Sequence, residues 1–220
     1  MSYKILEEDD YLFLLFGLAF LHVNFDAPII NVYEWLAIIG LFGYFLARKT
    51  FSVIPYSKRG TSWLEALLVA GVAYVIFSFV LIPLISQLTI TEFVKTTFAQ
   101  TPALSGNKLI SLIVWGVIIP YIETTTLFRT LPQWISYKYN LAMTSLMSKS
   151  SIIIMVVTSA IFTLFHITAK GVTNTPALIT TFVFGLISVG LIIYYQEVKQ
   201  SGVFHIIVNL LGMMSIYGIL

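Results

Sequence analysis

Seven apolar runs divide this chain, at about residues 11–24, 29–47, 62–86, 109–128, 150–169, 177–195 and 202–220. A helix needs about 20 apolar residues to cross the roughly 30 Å hydrocarbon layer of a bilayer. Most of the runs meet that length. The first is short, because fourteen residues rise only about 21 Å as a helix. It must take in part of "ILEEDD", tilt little, or be re-entrant. The stretch "QWISYKYNLAMTSLM" (133–147) is a candidate amphipathic or interfacial helix. Composition agrees with the runs: only 10% of the 220 residues are charged and 58% are hydrophobic, whereas soluble domains are about 25% charged. These charges are too few to cover a water-facing surface. The expectation is an all-α polytopic transmembrane helical bundle. It forms one domain over 1–220, with seven spans, or eight if 133–147 supplies one.

Lysine and arginine give the sidedness, since cytoplasmic loops carry the excess. With the N-terminus inside, the inner set is Lys4, Arg48, Lys49, Lys58, Arg59, Arg129, Lys138, Lys149 and Lys199, and the outer set is Lys95, Lys108 and Lys170. Nine against three favours a cytoplasmic N-terminus in a multi-pass protein of the cell membrane. The start, "MSYKILEEDD", is acidic, unlike the basic opening of a secretory signal; residues 11–24 therefore read as a retained segment. The longest outer connection, 87–108, is polar and Thr-rich, and reads as a loop or a short surface helix.

Several functions drop out. With no cysteine, disulfides, thiolate nucleophiles and Cys-ligated metals are excluded. The net charge of +2 is too small and scattered for a nucleic-acid partner. No Gly-rich phosphate loop points to a nucleotide, and no other cofactor is indicated. The partners that remain are membrane lipid and a peptide, membrane-protein substrate or partner subunit. Paired glycines (Gly40 and Gly43, Gly185 and Gly190, Gly212 and Gly218) read as close helix packing.

Ionisable groups at membrane depth are costly and usually have a partner or a task. Glu123, Arg129, His166, His205 and Asn209 meet this description; His22, Glu34 and Glu65 lie nearer segment ends. Glu123 follows Pro120 by three residues in "PYIETTTLFR" (120–129). Phe162 and His166 share a helical face in "FTLFH", as do His205 and Asn209 in "HIIVN". A carboxylate beside imidazoles can deprotonate water for attack on a carbonyl, with an amide or imidazole donating to the oxyanion. One glutamate with two histidines is also a three-ligand zinc set, although no H-E-x-x-H occurs. Counted from segment ends, Glu123 and His205 fall nearer the inner face and His166 nearer the outer.

In this order the three motifs resemble the CPBP family of membrane proteins, which includes the CAAX prenyl endopeptidases and bacteriocin-processing or immunity-type relatives. The family pattern is Glu-Glu-x-x-x-Arg, then Phe-x-x-x-His, then His-x-x-x-Asn. The resemblance covers about residues 109–215. Phe162 with His166 and His205 with Asn209 match in full, and Arg129, preceded by Phe128, matches the end of the first motif. The resemblance implies a helical membrane bundle and a glutamate-dependent, metal-independent intramembrane endopeptidase acting on a membrane-proximal or lipid-modified peptide. It implies Glu123 as base, His166 beside it, and His205 with Asn209 facing the carbonyl. The departure lies in the first motif. Counted from Arg129, the two acid positions hold Thr124 and Thr125, and Glu123 stands one residue early. One residue turns an α-helix by about 100°, so Glu123 reaches the site only if a one-residue π-bulge, attributed to Pro120, restores its direction. A non-catalytic binding, immunity or assembly subunit is the alternative. A transporter or proton path is a third reading, without the internal repeat that would support it.

Overall fold

The computed structural model describes residues 61–98, 108–143, 145–167 and 173–220. The first two apolar runs, with His22, Glu34, Gly40 and Gly43, lie outside the described residues. Among the described residues every regular element is helical. Helix α1 runs as Trp63–Ile76, Phe77–Leu81 and Ile82–Ser86. Helix α2 is Ile90–Phe98. Helix α3 is built from Lys108–Ile113, Val114–Ile118, Ile119–Glu123, Thr124–Thr130 and Leu131–Lys138. Helices α4 (Lys149–Phe165), α5 (Thr175–Tyr195) and α6 (Lys199–Ile216) complete the set.

Two of these helices are long and apolar enough to cross a membrane: Trp63–Ile85, with mean hydropathy 2.6, and Thr175–Tyr195, with mean hydropathy 2.3. The core helix of a soluble protein would hide its apolar window, but only 22% of the Trp63–Ile85 window is buried. Leu64, Leu67, Leu68, Val72, Phe79 and Leu84 on α1 are exposed, while Ser78, Thr158, Ser159, Ser188 and Ser201 are buried. Helix α1 thus presents an apolar face outward, and the small buried polar residues, set among a mostly apolar core, let the helices approach closely.

Local sequence explains where each helix begins and ends. Ser62 is extended and accepts the Glu65 N–H at 3.1 Å, which caps α1 and leaves Glu65 exposed in its first turn. Ser148 caps α4 in the same way through the Ser151 N–H. Thr89 and Glu92 form a reciprocal capping box for α2. Thr89 Oγ1 accepts the Glu92 N–H at 3.2 Å, and Glu92 Oε2 accepts the Thr89 N–H at 2.7 Å. Helix α6 ends at Gly218, whose φ of 66° lies in the left-handed region. The Ile219 N–H bonds back to Met214 O and the Gly218 N–H to Ser215 O, the paired bonds of a Schellman stop. Gly218 therefore serves a turn, and a Cβ there would meet open space, not the close packing its pairing with Gly212 suggests.

Three stretches are wound as π-helix: Phe77–Leu81, Val114–Ile118 and Thr124–Thr130. A proline stands two residues beyond each one, at Pro83, Pro120 and Pro132. The two facts share a cause. Proline inside a helix lacks an N–H, and its ring presses on the carbonyl four residues back. Widening the preceding turn relieves that contact. The Ile82 N–H accordingly reaches Phe77 O and the Ile119 N–H reaches Val114 O, five residues back. Beyond Pro132 the chain stays helical only to Lys138. Residues 133–138 rise only about 9 Å, so the 133–147 stretch does not supply a span of its own.

Helix α6 lies at the centre, packed along α1, α2, α3 and α5. Glycines set its distances. A Cβ on Gly212 would come within 2.3 Å of Val94, and one on Gly116 of α3 within 3.0 Å of Leu210. Between α4 and α5, Gly185 sits equally close to Ser159. The connection 87–108 is thus more than a surface loop, since Phe93 and Val94 of α2 are buried against this centre. At one end of the bundle Thr91 Oγ1 meets Ser215 Oγ at 2.9 Å, and Lys108 Nζ donates to Tyr217 O at 3.1 Å. At the other end Thr61 is held by the turn that joins α5 to α6.

Candidate functional site

The site forms where α3 changes its winding beside α6. Glu123 is the last residue of the α-helical piece Ile119–Glu123, and Thr124 opens the π-wound piece that carries Arg129. The widened winding therefore falls within the six-residue gap between Glu123 and Arg129, and the proline that follows it is Pro132. Pro120 closes the earlier π turn instead. Across from this junction, His205 lies on the buried face of α6.

Glu123 and Thr124 straddle the His205 imidazole. Glu123 Oε2 stands 3.4 Å from Nε2, and Thr124 Oγ1 stands 3.1 Å from Nδ1. The first distance is a close polar contact, longer than a well-formed N–H···O bond. Catalytic contacts are often loose before substrate arrives. Exposure divides the three groups sharply: the Thr124 residue is 0% exposed and the His205 side chain 3%, but the Glu123 side chain is 28% exposed. The imidazole is shielded, and the carboxylate beside it is open.

Aromatic rings make the shield. Phe184 lies 4.7 Å from the His205 ring, Phe128 5.9 Å and Phe162 6.2 Å, centre to centre. These spacings fall in the range of favourable ring pairs. Phe162 also lies against the His166 ring, tilted, at 4.3 Å. A single phenylalanine therefore joins the two histidines that residue counting set at different depths. Phe162 and Phe128 come from the motifs; Phe184 does not, because a phenylalanine in an apolar helix carries no sequence signal of its own.

His166 is the C-cap of α4, whose last helical residue is Phe165. Its φ of −103° and ψ of 2° lie near the bridge region, where many active-site residues sit. Its Nδ1 is 2.8 Å from Phe162 O. A carbonyl can only accept, so Nδ1 donates, and Nε2 is the acceptor nitrogen of the neutral ring. Asn209 is one turn beyond His205 on α6 and is half-buried, as is Arg129. Thr125 donates to Tyr121 O at 2.8 Å, a bond within its own helix.

Among the described residues, no group of three or more His, Asp or Glu side chains is set to hold a metal ion. A polar cluster that the motifs do not mention closes the far end of α6. Glu197 accepts from Thr61 N at 3.0 Å and from Thr61 Oγ1 at 2.6 Å. Lys199 Nζ donates to Thr61 O at 2.9 Å, and Gln200 Nε2 to Thr61 Oγ1 at 2.6 Å. The polar run "QEVKQ" between two apolar segments was its signal. Compared with family models, curated proteins and solved structures, the chain matches none.

Proposed function

We propose that this protein is a glutamate-dependent intramembrane endopeptidase, embedded as a multi-pass, seven-span bundle in the cell membrane with its N-terminus in the cytoplasm. The observation that carries the reading is the 3.4 Å contact between a partly exposed carboxylate, Glu123, and a buried imidazole, His205. Glu123 takes a proton from water. The resulting hydroxide adds to the scissile carbonyl carbon, and the tetrahedral intermediate collapses with cleavage of the C–N bond. Glu123 then returns the proton to the leaving amine. His205 donates from Nε2 and steadies the carboxylate. By the resemblance to the CPBP proteases, His166 assists at the water and Asn209 donates to the oxyanion. The substrate class is a membrane-proximal or lipid-modified peptide.

The test is cleavage of a library of such peptides by the purified protein in detergent. Wild type should turn over, and Glu123→Gln and His205→Gln should not. Equal turnover in all three ends the assignment. A second reading, a non-catalytic binding, immunity or assembly subunit, is favoured by Thr124 and Thr125 standing where the related motif has its acids. It predicts no cleavage by any variant and retention of a partner protein.

A further inference from the structure

Thr124 differs from its neighbours in where its hydroxyl goes. Thr125 and Thr130 turn theirs back on backbone carbonyls, to Tyr121 O and Thr125 O, a common habit of threonine in helices. Thr124 instead meets His205 Nδ1, and both residues are buried. The other ring nitrogen faces Glu123. A neutral imidazole carries one N–H and one lone pair. An ionised carboxylate can only accept, whereas a hydroxyl can do either. A single arrangement leaves no lone pair facing another. Nε2 bears the proton and points it at Glu123, while Thr124 donates its O–H to Nδ1. The opposite tautomer sets the Nε2 lone pair against the carboxylate in a site closed by Phe128, Phe162 and Phe184.

We propose that Thr124 is a positioning residue: by donating to Nδ1 it pairs the buried lone pair of the Nε2–H ring that the Glu123 carboxylate selects, and so holds the His205 proton aimed at Glu123. The inference deepens the protease reading of the same site, and Thr124 itself touches no reacting atom. A threonine is therefore a working replacement at a position where the related motif has an acid: it serves the histidine and leaves Glu123 as the sole carboxylate of the pair.

The chain has three histidines, which makes the tautomer directly measurable. We would label the full-length protein with 15N-histidine in lipid nanodiscs and assign the His205 signals by their loss in His205→Gln. Wild type and Thr124→Ser should both show His205 protonated at Nε2 alone. Thr124→Val, which keeps the shape and loses the hydroxyl, should keep the proton on Nε2 but move the Nδ1 signal to that of an acceptor without a hydrogen bond. Cleavage should fall roughly 10- to 100-fold in Thr124→Val, the effect of leaving a buried acceptor unpaired, and recover in Thr124→Ser. A wild-type ring protonated at Nδ1 or at both nitrogens overturns the proposal, as does a Thr124→Val ring unchanged from wild type. If the Nδ1 signal responds as stated and no variant cleaves any peptide, the positioning role stands and the protease reading fails.

Discussion

Glu123 of α3 and His205 of α6 meet at 3.4 Å although 81 residues separate Thr124, next in the chain, from that same histidine. The pair is the point at which two central helices exchange polar contact, and each partner can be removed without a large change in volume. Glu123→Gln should lower peptide cleavage by about 100-fold or more, the usual scale of a lost general base, with little change in KM. Steady-state kinetics on one cleavable peptide would decide it: a raised KM with kcat intact would mean that Glu123 binds substrate and does not activate water.

Phe162 links the two histidines, meeting His166 at a tilt at 4.3 Å and His205 edge-on at 6.2 Å. Phe162→Leu keeps the site apolar but removes the ring contacts. We expect a loss of cleavage with only a modest loss of stability, about 1 kcal/mol. Thermal unfolding in detergent, measured beside the cleavage rate, separates the two effects.

Gly212 allows α2 to lie against α6. A Cβ at this position would stand 2.3 Å from one Val94 atom and 2.7 Å from Val94 Cβ, so the valine cannot clear it by rotation. Gly212→Ala should destabilise the bundle by about 1–3 kcal/mol, as overpacking does. Restoration by Val94→Ala in the double variant would trace the loss to this contact; additive losses would refute it.

The capping box at α2 gives a pH dependence. The two Thr89 hydrogen bonds, backbone first, hold the Glu92 carboxyl below its ordinary value of 4.5. A depressed carboxyl pKa adds stability above its unfolded value, and that contribution disappears as pH falls through the lower folded value. Amide hydrogen exchange in the first turn of α2 should therefore rise, relative to the rest of the bundle, as pH drops below 4.5. Thr89→Ala, which loses the hydroxyl but keeps the backbone N–H, should weaken the pH dependence, and Glu92→Gln should remove it.

Thr61 is gripped by Glu197, Lys199 and Gln200 at once. Thr61→Val would leave a Glu197 oxygen and the Gln200 amide without their shared hydroxyl. We expect a loss of about 1–3 kcal/mol and faster proteolysis at the turn that joins α5 and α6. An unchanged proteolysis rate would show that water replaces the hydroxyl there.

Much of this was legible in the sequence because period and polarity carry it. Helices α1, α4, α5 and α6 follow their apolar runs within a few residues, and Glu123 and His205 each stand out as ionisable groups in apolar segments, whereas the place of Thr124 beside the ring does not. The capping box "TITE" (89–92) is readable, and it decides between the loop and the short surface helix that composition leaves open for 87–108. What the sequence hid was winding. Residues in apolar helices look alike whether they bond four or five residues back, so the direction of Glu123 could not be read from "PYIETTTLFR" alone. Phe184 was hidden for a different reason: its role depends on which helix lies beside α6, and tertiary packing decides that.

The π turn over Thr124–Thr130 also bears on how such a chain can change length. A wide turn holds one residue more than the α turn that would replace it, so deleting one residue between Glu123 and Arg129 would tighten the winding and leave the helix beyond Pro132 facing as before. An insertion of the same size elsewhere in α3 would swing every later side chain around the axis. Sequence spacing and spatial spacing are thus uncoupled at this one place. A comparison that counts residues back from Arg129 arrives at a threonine, whereas one that starts from the His205 ring arrives at both the threonine and the acid.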